Sequence, residues 1–254
     1  MVTSAAKLYA KFQKLATIIG RPRYLRAMRF GVAAGVEHAQ VLNGITCSTV
    51  VDIGANRGQF ALVARHCFPD ANIISFEPLS LPASLFRKVF GNDKRVTLHE
   101  AAVGVSHGEA TIHISQRDDS SSLLAITAMQ NAIFPGTAEA TTAVIQVGRL
   151  DEYVADEDLR APALLKLDVQ GYELQALVGC EDLLNQFSYV YAECSFVELY
   201  EGQALADTII AWLKERGLHL AGIYHMNYDR SGRSIQADFL FARREKDLLS
   251  DKSR

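Results

Sequence analysis

The chain has 254 residues, 49% of them hydrophobic and 22% charged, with a formal net charge of −3. That is enough to bury one full core without requiring two domains; no apolar run reaches the roughly 18 residues of a membrane-spanning helix, and the slightly acidic balance disfavours a general nucleic-acid binder, which is usually basic. Four scattered cysteines, Cys47, Cys67, Cys180 and Cys194, fit neither zinc-pair nor disulfide-framework spacing and read as reduced thiols.

The start, MVTSAAKLYAKFQKL, lacks the apolar core of a secretion signal, so a cytoplasmic location is expected. Seven cations (Lys7, Lys11, Lys14, Arg21, Arg23, Arg26, Arg29) and no acid precede Glu37, so with −3 overall the remainder carries −10. Leu8, Phe12, Leu15 and Ile19 recur at spacings of 4, 3 and 4, one face of a helix. Residues 1–40 are therefore expected to form a basic helical extension. Its lysines are either solvated on a helix packed against the following domain, the common fate of a charge run, or residues 1–36 make a peripheral contact with the anionic inner face of a membrane or with a lipid-linked substrate.

Residues 41–254 are expected to be one domain. From about residue 47 strands alternate with helices: CSTVVDIG (strand), QFALVARHCF (helix), NIISFEP (strand), SLPASLFRKVF (helix) and RVTLHEAAV (strand). EATIHIS alternates with period two, as in a hairpin or sheet edge. Residues 116–142 are polar and aperiodic, which predicts a long lid or binding loop. AVIQVG and ALLKLDV resume as strands, followed by GYELQALVGC (helix), SYVYAECS (strand), LADTIIAWLKERG (helix), and LHLAGIYH and IQADFLFAR (strands). The alternation implies a mostly parallel, doubly wound sheet whose ligands sit outside the carboxyl ends of its strands.

The first strand-to-helix turn, VVDIGANRGQF, puts Asp52 at a strand end, followed by Gly54, Ala55, Asn56 and Gly58. It lacks the G-x-G-x-x-G of a dinucleotide site and the G-x-x-x-x-G-K-[ST] of a phosphate loop. An acid there suits a diphosphate poorly. It suits S-adenosylmethionine, which has no phosphate and carries an ammonium and a sulfonium. Glu77, in SFEP with Pro78, ends the next strand 19 residues after Gly58, where an acid holds a ribose hydroxyl in such folds. The plainer alternative is an acid capping the helix that starts near Ser80.

VDIGANRGQF, SFEP, EAAVG at 100–104, SSSL at 120–123 and LKLDVQGYE at 165–173 occur in the order found in the FkbM family of S-adenosylmethionine-dependent methyltransferases, which the chain resembles over about residues 47–244. LKLDVQGYE is the most specific of these motifs, and family members commonly carry Glu where this chain has Gln170. The resemblance implies a class I, Rossmann-like fold: a seven-stranded, mostly parallel sheet with an antiparallel last strand. Better-known members methylate hydroxyls of sugars and polyketides. Carried over, it implies that Asp52, Gly54, Asn56 and Gly58 hold the methionyl part, that Glu77 holds the ribose, and that Ala101 and Ala102 lie beside the adenine. Ser121, with its neighbours in SSSL, is expected on a lid over donor and acceptor.

Methyl transfer to an alcohol needs alignment, exclusion of water and a general base. Asp168 follows the apolar run ALLKL at the cleft end of its strand, beside the donor. Glu193 takes the same end of the next strand, and His225 falls in GIYHMNYDRSGR, expected as a loop on the ligand side. Asp168 and Glu193 could instead share a hard cation such as magnesium; related sugar methyltransferases use an Asp-Asp pair, whereas here Cys194 follows Glu193. Glu173 begins a helix, where an acid favours the dipole in any case. The expected activity is O-methyl transfer to a sugar, glycan, glycolipid or polyketide-type hydroxyl. The alternatives are methylation of a nucleic-acid or other amine, disfavoured because no Pro-Pro-aromatic turn follows the fourth major strand; a dinucleotide-dependent dehydrogenase; and a cofactor-binding protein without catalysis.

Overall fold

A computed structural model describes residues 20–244. The sequence-predicted helix carrying Leu8, Phe12, Leu15 and Ile19 lies outside the described residues. Among the described residues there are ten strands: β1 (Thr49–Ile53), β2 (Asn72–Phe76), β3 (Val96–His99), β4 (Ala102–Val103), β5 (Gly108–Ser115), β6 (Glu139–Gly148), β7 (Ala163–Leu167), β8 (Tyr189–Ser195), β9 (Leu218–Tyr228) and β10 (Ser234–Arg243). Seven form one sheet in the order β3-β2-β1-β7-β8-β10-β9. β10 runs antiparallel to both its neighbours, and the other pairings are parallel. This is the expected class I methyltransferase sheet. The added strands form a separate three-stranded sheet, β4-β6-β5.

β1 (TVVDI) and β7 (ALLKL) are buried at every position, as central parallel strands covered by helices on both faces must be. Their side chains alternate between two cores. Val51, Ile53, Leu165 and Leu167 meet Leu177, Phe187 and Phe239 on one face. Val50 and Leu164 meet Ala61, Ile73 and Phe86 on the other. By the same alternation Asp52 and Lys166, paired in register, point to the second face, under the helix Gln59–Cys67.

The N-terminal segment belongs to that second core. Pro22–Met28 is a helix that buries Tyr24 and Ala27, and these share a cluster with Val32, Ala34, Val41 and Leu42. The boundary expected near residue 40 falls inside this packed stretch.

Two further expectations change. RVTLHEAAV is not one strand: it breaks after His99, and Ala102–Val103 joins the small sheet. Residues 116–142 are not a structureless loop. They contain the helix Ala128–Ile133, whose N-terminus is capped by Thr127, and β6 begins at Glu139. The sheet order reverses between β1 and β7, the point where such folds open a crevice at the strand carboxyl ends.

Candidate active site

A cleft of about 400 Å³ opens at that switch point. Its floor is the turn after β1. Gly54 and Ala55 donate backbone hydrogen bonds to the Phe76 carbonyl at 3.1 and 2.9 Å, locking the turn to β2. Gly54 has φ +80, and a Cβ there would fall 1.9 Å from the Asp168 carbonyl oxygen. At Gly58 (φ +90) a Cβ would strike Phe90 and Phe86. Both glycines are thus demanded by the protein's own packing.

Glu77 is 5% exposed. Its Oε2 accepts from the Asn56 N–H (2.9 Å) and its Oε1 from the Leu79 N–H (2.8 Å), so one carboxylate ties the β1 turn to the β2 turn. Each oxygen keeps a lone pair for a ligand hydroxyl. Burial pushes this carboxyl up to about 7 despite those donors. Pro78, Leu79, Ala101, Ala102, Ile112 and Leu123 form an apolar wall beside it, of a kind that suits a flat aromatic base.

Asp52 does not reach the cleft. It is fully buried, and its Oδ1 lies 3.3 Å from the Lys166 Nζ, but neither oxygen makes a well-formed hydrogen bond. Lys166 also lies 3.6 Å from the Asp168 Oδ2 and 5.4 Å from the centre of the Phe60 ring. Burial disfavours its cation, but Asp52 and Asp168 outweigh that and hold its pKa above the usual lysine value. The acid expected to meet a ligand cation directly therefore meets a built-in one. Of the other expected donor residues, Gly54, Ala55, Asn56, Glu77, Pro78, Ala101, Ala102, Ser121 and Asp168 line the cleft. Gly58 stands behind its wall.

Asp168 follows β7 and presents a carboxylate that is 39% exposed. Glu193, on β8, does not line the cleft. It sits behind two amides that do: Gln170 Nε2 donates to its Oε2 (3.0 Å) and Gln236 Nε2 to its Oε1 (2.8 Å). Burial, then repulsion from Asp168 and Asp238, pushes its carboxyl well above the ordinary range. The Gln170 amide nitrogen also donates to Asp168 Oδ1 at 2.7 Å. A neutral amide donor thus bridges the two carboxylates. Glu173 is likewise structural. Its Oε1 accepts from the Val169 and Gly171 N–H groups (3.1 and 3.2 Å), and burial raises it to about 7.

The roof comes from the polar segment. Arg57, in the β1 turn, pairs with Asp118; the Tyr200 hydroxyl donates to Gln170 Oε1 (2.7 Å) and lies 3.2 Å from the Ser120 carbonyl oxygen. Ser120, Ser121 and Ser122 line the cleft beneath it.

His225 is not in a loop. It lies within β9 at φ +49, where the register against β10 slips, as a bulge that re-aims a side chain does. Its Nδ1 is 2.7 Å from Asp238 Oδ2 and its Nε2 is 3.1 Å from the Glu37 carbonyl. The histidine that lines the cleft is His38, which sequence reasoning missed because it precedes every recognisable motif. Of the others, His99 stacks on Phe76, His66 packs edge-on to Tyr24, and His107 and His113 pair with Glu152 and Glu139.

A family model described as the methyltransferase FkbM domain matches residues 52–220. The chain belongs to this family. Among curated proteins, this FkbM-family chain is 30% identical over 165 residues to the 2-O-methyltransferase NoeI of Sinorhizobium fredii, covering 61% of the chain and 66% of that protein. It is 25% identical over 150 residues to Methyltransferase 1 of Beauveria bassiana, covering 53% and 59% respectively. The matched region spans less than two thirds of either relative's length. Similar solved structures include a precorrin-6y C5,15-methyltransferase from Geobacter metallireducens (TM-score 0.46, 9% identity, 82% of this chain and 88% of that one). Fibrillarin from Aeropyrum pernix in complex with S-adenosyl-L-methionine is another (TM-score 0.45, 12% identity, 80% and 73%).

Proposed function

We propose that this protein is an S-adenosylmethionine-dependent O-methyltransferase acting on a hydroxyl of a sugar, glycan, glycolipid or polyketide-type small molecule. The observation that carries the reading is Glu77: a buried carboxylate with spare lone pairs at the tip of β2, beside an apolar wall and beneath a turn with no diphosphate cradle. That chemistry fits a nucleoside bearing free ribose hydroxyls. Glu77 would hold the ribose, the Ala101–Ala102 wall the adenine, and Gly54, Ala55 and Asn56 the methionyl end. Asp52 contributes from behind, by keeping Lys166 in place. When bound, the donor supplies an electrophilic methyl group on a positively charged sulfur.

Asp168 faces the same space with its carboxylate fixed by Lys166 and Gln170. On a diol acceptor it would accept the hydrogen of one hydroxyl and so orient its neighbour for in-line attack. The Ser120–Ser122 roof would exclude competing water. Because Gln170 bridges Asp168 and the covered Glu193, transfer beside Asp168 is expected to need no magnesium: full activity in EDTA is expected, and a loss restored by magnesium overturns this assignment. Calorimetry should give saturable binding of S-adenosylmethionine and none of NAD. Labelled-methyl transfer to methyl glycosides and polyketide aglycones tests the acceptor class, and transfer to a nucleic-acid or amine acceptor instead would sink it.

We further infer a peripheral contact with an anionic surface through the N-terminal segment. The helix Pro22–Met28 exposes Leu25 and Met28 between exposed Arg23, Arg26 and Arg29, an arrangement suited to interfacial binding. Co-sedimentation of the full chain with phosphatidylglycerol vesicles should fall on replacing Leu25 and Met28 with Asp; equal sedimentation would remove the inference.

A further inference from the structure

Four side chains at the cleft edge form a chain of hydrogen bonds that donor binding does not use. Asp238 Oδ2 accepts from the Tyr191 hydroxyl at 2.9 Å and lies 2.7 Å from His225 Nδ1. The Tyr191 oxygen is 3.1 Å from His38 Nδ1. Of the four, only Tyr191 lies within the span matched by the family model, and only His38 lines the cleft.

Donor and acceptor accounting gives each proton a place. His225 Nε2 faces a backbone carbonyl and Nδ1 faces a carboxylate. Both partners only accept, so both nitrogens carry hydrogen and the ring is an imidazolium. Tyr191 gives its proton to Asp238, so its oxygen can only accept from the other side. His38 Nδ1 must therefore be the donor to Tyr191. A neutral His38 then holds its lone pair on Nε2, to which no described residue hydrogen-bonds. The ring is fixed in place by edge contacts with Phe60, Tyr191 and His225, at centroid distances of 5.3, 5.7 and 5.2 Å.

Resting on the methyltransferase reading above, we propose that His38 Nε2 is the general base for the acceptor hydroxyl, held in its Nδ1–H tautomer by Tyr191, Asp238 and His225. The acceptor oxygen forms its bond to the methyl carbon as the carbon–sulfur bond breaks. That bond's electron pair stays on sulfur as a neutral thioether, and the hydroxyl proton passes to Nε2. The positive charge thus moves from sulfur to imidazole, where Asp238 Oδ2, 3.6 Å from His38 Nδ1, stabilises it. Burial, helped by the Lys166 and His225 cations, lowers the His38 pKa against the opposing pull of Asp238 and Glu37, so the ring is ready as a base at neutral pH. Lys166, held as a cation by two acids, cannot serve. Tyr191, Asp238 and His225 act through His38 and are positioning residues.

The test uses the full chain. Nitrogen-15 NMR with S-adenosylhomocysteine bound should show His38 protonated on Nδ1 alone and His225 on both nitrogens at pH 7.5; His38 protonated on Nε2 overturns the proposal. In His38→Asn, whose amide can replace the hydrogen bond to Tyr191, the donor dissociation constant should stay within threefold. At saturating donor, where titration of Glu77 no longer enters, turnover on a methyl glycoside with a free 2-hydroxyl should fall by about 10²–10⁴, and the acidic limb of the wild-type turnover profile should disappear. In Asp238→Asn that limb should move to lower pH, because a carboxylate favouring the His38 cation is gone. Turnover of His38→Asn within threefold of wild type, or an unchanged limb, overturns the assignment. If the wild-type protein binds donor but methylates no glycoside, the function has failed, and the tautomers measured by NMR still judge the hydrogen-bond chain separately.

Discussion

The two halves of the cleft are built by different means. On the side proposed for the donor, backbone and one carboxylate shape the cleft: Gly54 and Ala55 hang on the Phe76 carbonyl, and Glu77 staples two consecutive turns. On the side proposed for the acceptor, side chains far apart in sequence form networks, Gln170 with Glu193 and Tyr200, and His38 with Tyr191 and Asp238. A backbone-built half tolerates little change because its geometry is that of the main chain. A side-chain network can be exchanged piece by piece, as a site that must suit different acceptors requires.

The sharpest break should come at Gly54. Gly54→Ala must relieve a 1.9 Å contact with the Asp168 carbonyl while adopting a left-handed conformation that itself costs roughly 1–2 kcal/mol for a residue with a Cβ. Loss of soluble folded protein, or donor binding weakened by about 100-fold or more, is expected, and near-normal calorimetric binding would show the donor half to be more forgiving than argued. Asp168→Asn comes next. Turnover should drop by about 100-fold, within the range attributed to a positioning group, with donor affinity nearly unchanged; an equal loss in both would move Asp168 to the donor half.

Glu77→Gln should weaken donor binding by about tenfold, because the amide nitrogen would face a backbone N–H and remove one hydrogen bond of roughly 1–1.5 kcal/mol. The same residue sets a pH dependence. Its carboxyl titrates near 7 rather than the ordinary 4.5, so ionised Glu77 is lost as pH falls through 7. Donor affinity should then decline by up to about tenfold per pH unit. The effect on folding has the opposite sign: with the folded value raised, the group's contribution to stability is fully present below pH 4.5 and is lost as pH rises through 7. A flat affinity profile between pH 5.5 and 8 in the wild type would contradict the ribose assignment. Gln170→Glu should give the smallest change at neutral pH, a few-fold loss of turnover, because a third acid beside Asp168 and Glu193 is accommodated by taking up a proton. Magnesium-stimulated activity in that variant, absent from the wild type, would sharpen the comparison by showing that Gln170 stands where a cation could.

Legibility followed the same division. The order of strands and helices, the glycine turn, Glu77 and Asp168 could all be read in the sequence, because each is written within a few consecutive residues with a distinctive period or punctuation. What was misread depends on long-range contacts. Glu193 looked like a strand-end acid facing the cleft, but Gln170 and Gln236 cover it. His225 looked like a loop residue, but β9 extends through Tyr228 with a bulge. Residues 116–142 looked unstructured, because a short helix pinned by Tyr200 carries no signal at the length of a periodic segment.

The sequence by itself determined the doubly wound class, the family, the strand-end location of the cleft and most of the residues that line it, since local propensity, burial period and turn chemistry act between near neighbours. Only the tertiary structure decided that Asp52 faces Lys166 across β1 and β7, that an amide bridges Asp168 and Glu193, and that His38 lines the cleft. Each of those outcomes depends on register and packing between segments tens to hundreds of residues apart, where one sequence holds no record of which side chain will meet which.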